Sequence, residues 1–173
     1  MAFTWVRLFK TRSIRELGIH FPEGRTKQDQ PVHWLTTACL NRIALLPQRK
    51  YAYRISSTQT SSRKGRVMLD MVYVPDYTEN ILRKHSVFEE YFMEFYHMQL
   101  NMWYGMYCGI QLEYKAEALN EIRKRYSTPH RKALVMESRT IKWFYKGEVE
   151  GNVLMKIGYK CEIWLRMLYR KIR

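Results

Sequence analysis

The sequence predicts a mainly α-helical protein with a minor β or extended component, and three observations carry this prediction. Glycine and proline are few, at 8 and 5 of 173 residues. Apolar side chains recur at helical spacing over residues 31–46 and 152–173. The stretch 77–126 contains no proline, and its only glycines are Gly105 and Gly109. These patterns predict an extended basic N-terminal arm, a long central aromatic-rich helix and an amphipathic basic C-terminal helix.

Residues 1–30 are predicted to form the extended arm, and residues 31–173 a single mostly helical domain. Residues 1–15 hold four cations and no acid among apolar side chains. This composition is typical of a mitochondrial import signal, and it favours a matrix protein that keeps an uncleaved targeting-like segment. A basic tail that binds a polyanion is the alternative.

Beyond the arm, Pro31 is expected to open a short helix that stops at Pro47. Residues 49–56 alternate aromatic or apolar side chains with basic ones, which suits a strand or an extended segment. Residues 66–74 are apolar and rich in valine between Gly65 and Pro75, and they are the best strand candidate.

The stretch 77–126 predicts one long helix, or two helices hinged near Gly105 and Gly109. Residues 87–112 are apolar on every side, so this part is expected to be buried or to cross a membrane. Much of its apolar character is Tyr, Trp and Met, so we favour burial between protein partners over a membrane span. A small aromatic core within the chain is a further alternative. The predicted protein-interface side chains are Tyr91, Phe92, Phe95, Tyr96, Trp103, Tyr104 and Tyr107.

The last part of the chain is predicted to be helical from about residue 152. Residues 133–146 suit either a helix or a strand. Over 152–173, one side of the predicted helix is apolar and is expected to dock on protein, while the other offers cations. The apolar positions recur every three or four residues: Val153, Ile157, Cys161, Trp164, Leu165, Leu168 and Ile172.

Charge gives the sharpest functional signal, because the chain has a net charge of +14 and distributes it unevenly. Between Asp29 and Asp70 stand seven Lys or Arg residues and no acid. A block of unopposed cations indicates a polyanionic partner, although an ordinary solvated surface is the alternative. The residues predicted to bind nucleic acid are Arg42, Arg49, Lys50, Tyr51, Tyr53, Arg54, Arg63, Lys64, Arg66, Arg166, Arg170, Lys171 and Arg173.

No catalytic, cofactor or metal motif is present in the sequence. It lacks both common glycine-rich phosphate loops, and its three cysteines and five histidines are not at metal-ligand spacing. We therefore expect no enzyme activity, no cofactor and no metal. The sequence favours a structural subunit of a large ribonucleoprotein, in particular a mitochondrial ribosomal protein that contacts rRNA phosphates and neighbouring protein subunits. The alternative is an accessory subunit of a mitochondrial respiratory-chain or ATP-synthase complex, whose basic segments would contact anionic lipid.

Overall fold

A computed structural model describes residues 7–40, 42–48, 52, 64–136 and 138–172 of the chain. All regular structure in these ranges is helical and none of it is a strand, so the mainly α prediction is confirmed and its minor β component is not. The α-helices are α1 (Thr11–Glu16), α2 (Asp29–Cys39), α3 (Asp70–Lys84), α4 (Phe88–Gly109), α5 (Lys115–Arg125), α6 (Thr128–Ala133), α7 (Arg139–Phe144) and α8 (Val153–Ile172).

The chain divides into two compact units, Met1–Phe92 and Met93–Arg173. In the first unit, α2 packs on α3. Apolar side chains at helical spacing, among them Val32, Leu35, Val72 and Leu82, are buried there. The predicted helix after Pro31 is therefore confirmed, although it ends at Cys39 rather than near Pro47. Within the predicted arm, residues 11–16 are helical rather than extended. The predicted domain boundary after residue 30 stays a prediction.

The predicted strand over residues 66–74 is wrong. Arg66–Leu69 form a 3-10 turn and Asp70 begins α3. Pro75 lies inside this helix, where its missing N–H leaves the carbonyl of Met71 without its usual helical donor. The apolar run suits a helix because Leu69, Val72 and Val74 are buried, while Asp70 is bonded to the preceding chain. The predicted extended segment at 49–56 lies outside the described residues, apart from Ala52.

The predicted central helix over 77–126 is also wrong as a single element. It is interrupted between α3 and α4, where Ser86 has a positive φ of 58°, and again after Gly109, where α4 ends. The second interruption agrees with the predicted hinge near the glycines, whereas the first was not predicted. Beside it, the Arg83 guanidinium lies 3.9 Å from the centre of the Phe88 ring and pairs with Glu89 at 2.7 Å.

The second unit is built around α4 and the helices that follow it. α7 continues into a π-helix over Tyr145–Val149, and both pack on α8. Gly147 permits this close packing, because a Cβ there would lie 2.5 Å from the Cα of Lys156. The predicted C-terminal helix is confirmed by α8, and residues 139–144 adopt the helical alternative.

Candidate nucleic-acid interface

The basic stretch, defined as residues 41–65, joins the end of α2 to the turn before α3. Its described part at 42–48 has no regular secondary structure and is exposed. Arg42 and Lys64 are exposed, as is Arg66 at the start of the 3-10 turn. Six other predicted residues lie outside the described ranges: Arg49, Lys50, Tyr51, Tyr53, Arg54 and Arg63.

Both acids that bracket the basic stretch are buried or half-buried. Asp70 is only 7% exposed. It accepts hydrogen bonds from the Arg25 guanidinium at 3.0 Å, from the Thr26 N–H at 2.7 Å and from the Thr26 hydroxyl at 3.0 Å. At the other end, Asp29 is half-buried in the first turn of α2, and burial raises the pKa of its carboxyl group. Asp70 is therefore committed to Arg25 and Thr26, and Asp29 is only partly accessible.

The same contacts fix the two ends of the basic stretch. The packing of α2 on α3 holds the helices that flank it. The Asp70 bonds fasten residues 25–26 to the start of α3, and the Arg25 guanidinium also lies 4.8 Å from the Tyr73 ring centre. The cations are thus presented between two anchored points, which lowers the entropic cost of ordering them on a ligand.

The C-terminal cations belong to the other unit. The Arg166 guanidinium is 59% exposed but donates to Glu162 at 2.7 Å and to the Thr140 hydroxyl at 2.8 Å. The Thr140 hydroxyl in turn donates to Glu162 at 2.7 Å, and the Thr140 and Arg166 donors together lower the pKa of Glu162. The other oxygen of Glu162 lies 3.4 Å from Arg139. The positive charge of Arg166 is consequently partly neutralised within the chain. Arg170 and Lys171 lie in α8 but their side chains are outside the described part of the chain, as is all of Arg173.

Three of the seven aromatic side chains predicted as a protein interface are buried within the folded chain. Phe95, Tyr96 and Trp103 are buried, at 4% exposure or less. The other four, Tyr91, Phe92, Tyr104 and Tyr107, are partly exposed. Three buried members therefore offer no surface to a partner in this structure, and the interface role of the remaining four stays a prediction.

Aromatic packing explains where these rings go. The rings of Tyr104 and Tyr107 lie 5.3 and 4.9 Å from that of Phe144. Burial raises the pKa of Tyr104 to about 12. Tyr145 is fully buried, and its hydroxyl donates to the Leu100 carbonyl at 2.7 Å. These contacts correspond to the aromatic-core alternative for the second unit.

His130 stands at the centre of this core. Its ring lies 4.3 Å from Tyr96 and 5.2 Å from Trp103. Nδ1 accepts from the Ser127 N–H at 2.9 Å, and the opposite ring nitrogen meets the side-chain oxygen of buried Gln99. This pairing assigns the neutral tautomer with the proton on Nε2. Burial lowers the pKa of His130 to about 4, so it is neutral at pH 7 and acts in packing.

The surface of α8 carries a feature that matters for function, and the docking of this surface on protein stays a prediction. Its apolar stripe, predicted to dock on protein, is exposed over its described side chains. Beside the stripe lies a shallow groove of about 390 Å³ with a mainly apolar lining that includes Trp143, Leu165 and Tyr169. Sequence reasoning missed Trp143 and also missed the Asp70 bonds. An acid in the middle of an apolar run is the signal that could have found the bonds, because a buried carboxylate needs donors.

Comparisons of this chain with protein-family models, with curated proteins and with solved structures return no match. Among the described residues, no helix is both long and apolar enough to cross a membrane. The same residues contain no group of three or more His, Cys, Asp or Glu side chains placed to hold a metal ion.

Proposed function

We propose that this chain is a non-catalytic structural subunit of a large ribonucleoprotein and that the basic stretch binds RNA phosphates. One observation carries the proposal: seven cations stand between Asp29 and Asp70 without an acid, and the buried Asp70 is committed to Arg25 and Thr26. A run of cations without an acid attracts a polyanion, and closely spaced phosphates match it.

RNA suits the composition of the stretch better than a small anion does. The stretch includes Tyr51 and Tyr53 among its cations, and aromatic rings stack on unpaired bases. Its contacts would be mainly to phosphate, which position a protein on RNA without reading sequence. The particle we propose is the mitochondrial ribosome, with rRNA and neighbouring protein subunits as partners. Support for the compartment is the acid-free, basic and apolar composition of residues 1–15.

Two experiments test the proposal, the first in the cell and the second with purified protein. Mitochondria are isolated, solubilised with detergent and sedimented with and without RNase. We expect the chain in a large particle that RNase breaks up. A detergent-dependent complex that is indifferent to RNase would contradict the proposal and favour the respiratory-chain or ATP-synthase alternative.

In the second experiment, the full chain is titrated into fluorescent single-stranded RNA while salt is varied. Reversing Arg49, Lys50 and Arg54 to Glu should abolish measurable binding. Reversing one of them alone should lower the slope of log K against log[salt] by about 0.7, the value for one phosphate contact on single-stranded RNA. The matched control is the triple variant Lys84→Glu, Lys132→Glu and Lys146→Glu, which changes net charge equally at exposed sites outside the stretch. Equal losses in both triple variants would mean that net charge, and not the basic stretch, binds the RNA.

A further inference from the structure

Helix α8 leaves a long apolar surface uncovered. At 1.5 Å per residue its 20 residues span about 30 Å. The exposed apolar side chains recur along one side of the helix, and Trp164 is 58% exposed. They are Val153, Leu154, Ile157, Trp164, Leu165 and Leu168. We call this surface the α8 stripe. A contiguous exposed apolar surface of this length indicates an interaction site.

The opposite side of α8 is already occupied. Tyr159 is buried, and its ring lies 5.6 Å from that of Phe144. Gly158 lies against the Trp143 ring, where a Cβ would approach to 3.3 Å. The helix is thus fixed to α7 and the π-helix by one side. Of the α8 stripe, Leu165 borders the groove beside Trp143, and all of its side chains remain exposed.

The charges around the α8 stripe are of one sign. Glu162 is the only acid in α8, and it is held by Thr140, Arg139 and Arg166 on the packed side of the helix. On the open side, Lys160 is exposed at the edge of the stripe. The sequence adds Arg170, Lys171 and Arg173 at the end of the helix. Among the described side chains of α8, the stripe is therefore bordered by the cation Lys160, and Glu162 is not exposed beside it.

The apolar stripe and the cations near it discriminate among the molecules that could cover this side of α8. RNA supplies phosphates, but it has no surface that matches a row of Val, Leu and Ile side chains. A second copy of the chain would bring cations against cations, since the stripe offers no acid to pair with Lys160. An anionic bilayer supplies both an apolar layer and negative headgroups, and exposed Trp and Tyr rings suit its interface.

We propose that α8 is a membrane-surface helix that lies in the headgroup region of an anionic lipid bilayer. The stripe enters the boundary between headgroups and acyl chains, about 5–10 Å deep, while Lys160 and the terminal cations stay among the headgroups. Trp164 and Tyr169, both more than half exposed, contribute aromatic rings at this level. This inference goes beyond RNA binding and does not depend on it.

The test is flotation of the purified, RNA-free full chain with vesicles of phosphatidylcholine, with and without phosphatidylglycerol at about one lipid in three. We expect flotation with the anionic vesicles and much less with the neutral ones. Replacing Ile157, Trp164 and Leu168 by Gln should weaken partitioning about a hundredfold, because three partly inserted side chains are lost. These side chains are exposed, so thermal unfolding of the variant should match that of the wild type.

A matched control carries the same chemical change elsewhere in the same unit: Leu112→Gln, Val135→Gln and Met136→Gln, at residues that are exposed but outside α8. We expect this control to float like the wild type. If the α8 variant floats as well as the wild type, other cations bind the vesicles and the proposal is wrong. If the wild type does not float, the proposal is also wrong. A dimer that the α8 variant dissociates would then assign the stripe to a second copy of the chain.

Discussion

Helices α4 and α8 are both rich in apolar and aromatic side chains, yet they place them in opposite surroundings. In α4, Phe95, Leu100 and Trp103 are fully buried. In α8, Trp164 and Leu165 are more than half exposed. The two helices are of similar length, with 22 and 20 residues, so length does not account for the difference.

The neighbouring elements account for it. The rings of α4 meet His130 from α6 and Phe144 from α7. The hydroxyl of Tyr145 from the π-helix donates to the Leu100 carbonyl of α4. α8 meets the same part of the chain only through the side that carries Tyr159. An apolar helix surface is therefore expected to be covered by other apolar groups. The neighbouring elements determine whether those groups come from the same chain. Three predictions test this comparison, from the largest expected effect to the smallest.

The first prediction compares the same substitution in the two helices. Trp103→Ala should lower the free energy of unfolding by about 3–5 kcal/mol, because it leaves a large cavity among buried rings. Trp164→Ala should change it by no more than about 0.5 kcal/mol, since the side chain is exposed. Urea denaturation followed by circular dichroism measures both. Equal losses would mean that α8 is covered within the chain, and the comparison would fail.

The second prediction uses the histidine that packs on α4. His130 has a pKa of about 4 in the folded chain against 6.5 when unperturbed. As pH falls through this window, the unfolded chain binds a proton that the folded chain does not, so stability is present above pH 6.5 and is lost toward pH 4. Burial is the main cause, and the Ser127 N–H that faces Nδ1 disfavours a second donor there.

The loss should be on the order of 3 kcal/mol for this group. Urea denaturation at several pH values, compared with that of His130→Gln, measures it, because both proteins share the general repulsion of a cationic chain. The variant should start from lower stability and lose less on acidification. In the first unit, burial and the charge of Arg7 lower the pKa of His33 to about 4. His33 therefore also lowers stability on acidification, and it does so in both proteins. Identical pH slopes would contradict a neutral, buried His130.

The third prediction contrasts two glycines. Gly147→Ala should cost about 2 kcal/mol, because the new Cβ meets the backbone of Lys156 on the packed side of α8. Gly105→Ala in α4 meets open space and should stabilise the chain by about 0.5–1 kcal/mol through helix propensity. Thermal unfolding of both variants gives the two signs. If Gly147→Ala leaves the stability unchanged, α8 can move away from the π-helix without cost, and even its packed side is loosely held.

Helices could be predicted from the sequence where apolar positions recur at regular spacing. How the helices pack on one another could not be predicted. α8 follows the predicted range within a residue because its apolar positions recur every three or four residues. The run from Arg66 to Val74 was assigned to a strand because valines and flanking Gly and Pro suggest one. The structure instead has a helix that contains Pro75, in which Val72 and Val74 are buried. The turn at Ser86 has no strong sequence signal, since Ser is uncommon at positive φ.

The candidate interface shows the same difference between what the sequence predicts and what only the structure reveals. Composition alone located the basic stretch, because counting charges needs no structure. It could not reveal that Asp70 is bonded to residues 45 and 44 positions earlier. Nor could it show that Arg166 shares its charge with Glu162, or that the rings of α4 are covered from within.

The anchoring of the basic stretch at both ends has a consequence for how its length can vary. Since the packing of α2 on α3 fixes the positions of its two ends, the chain between them closes a loop, and the entropy of loop closure changes slowly with length. Doubling the number of residues would cost only about 0.6 kcal/mol, whereas each added residue extends the maximum contour by about 3.5 Å. The distance that the stretch can reach toward a partner is therefore nearly independent of the stability of the helical unit. Insertions or deletions in the stretch would change its reach and leave the stability almost unchanged.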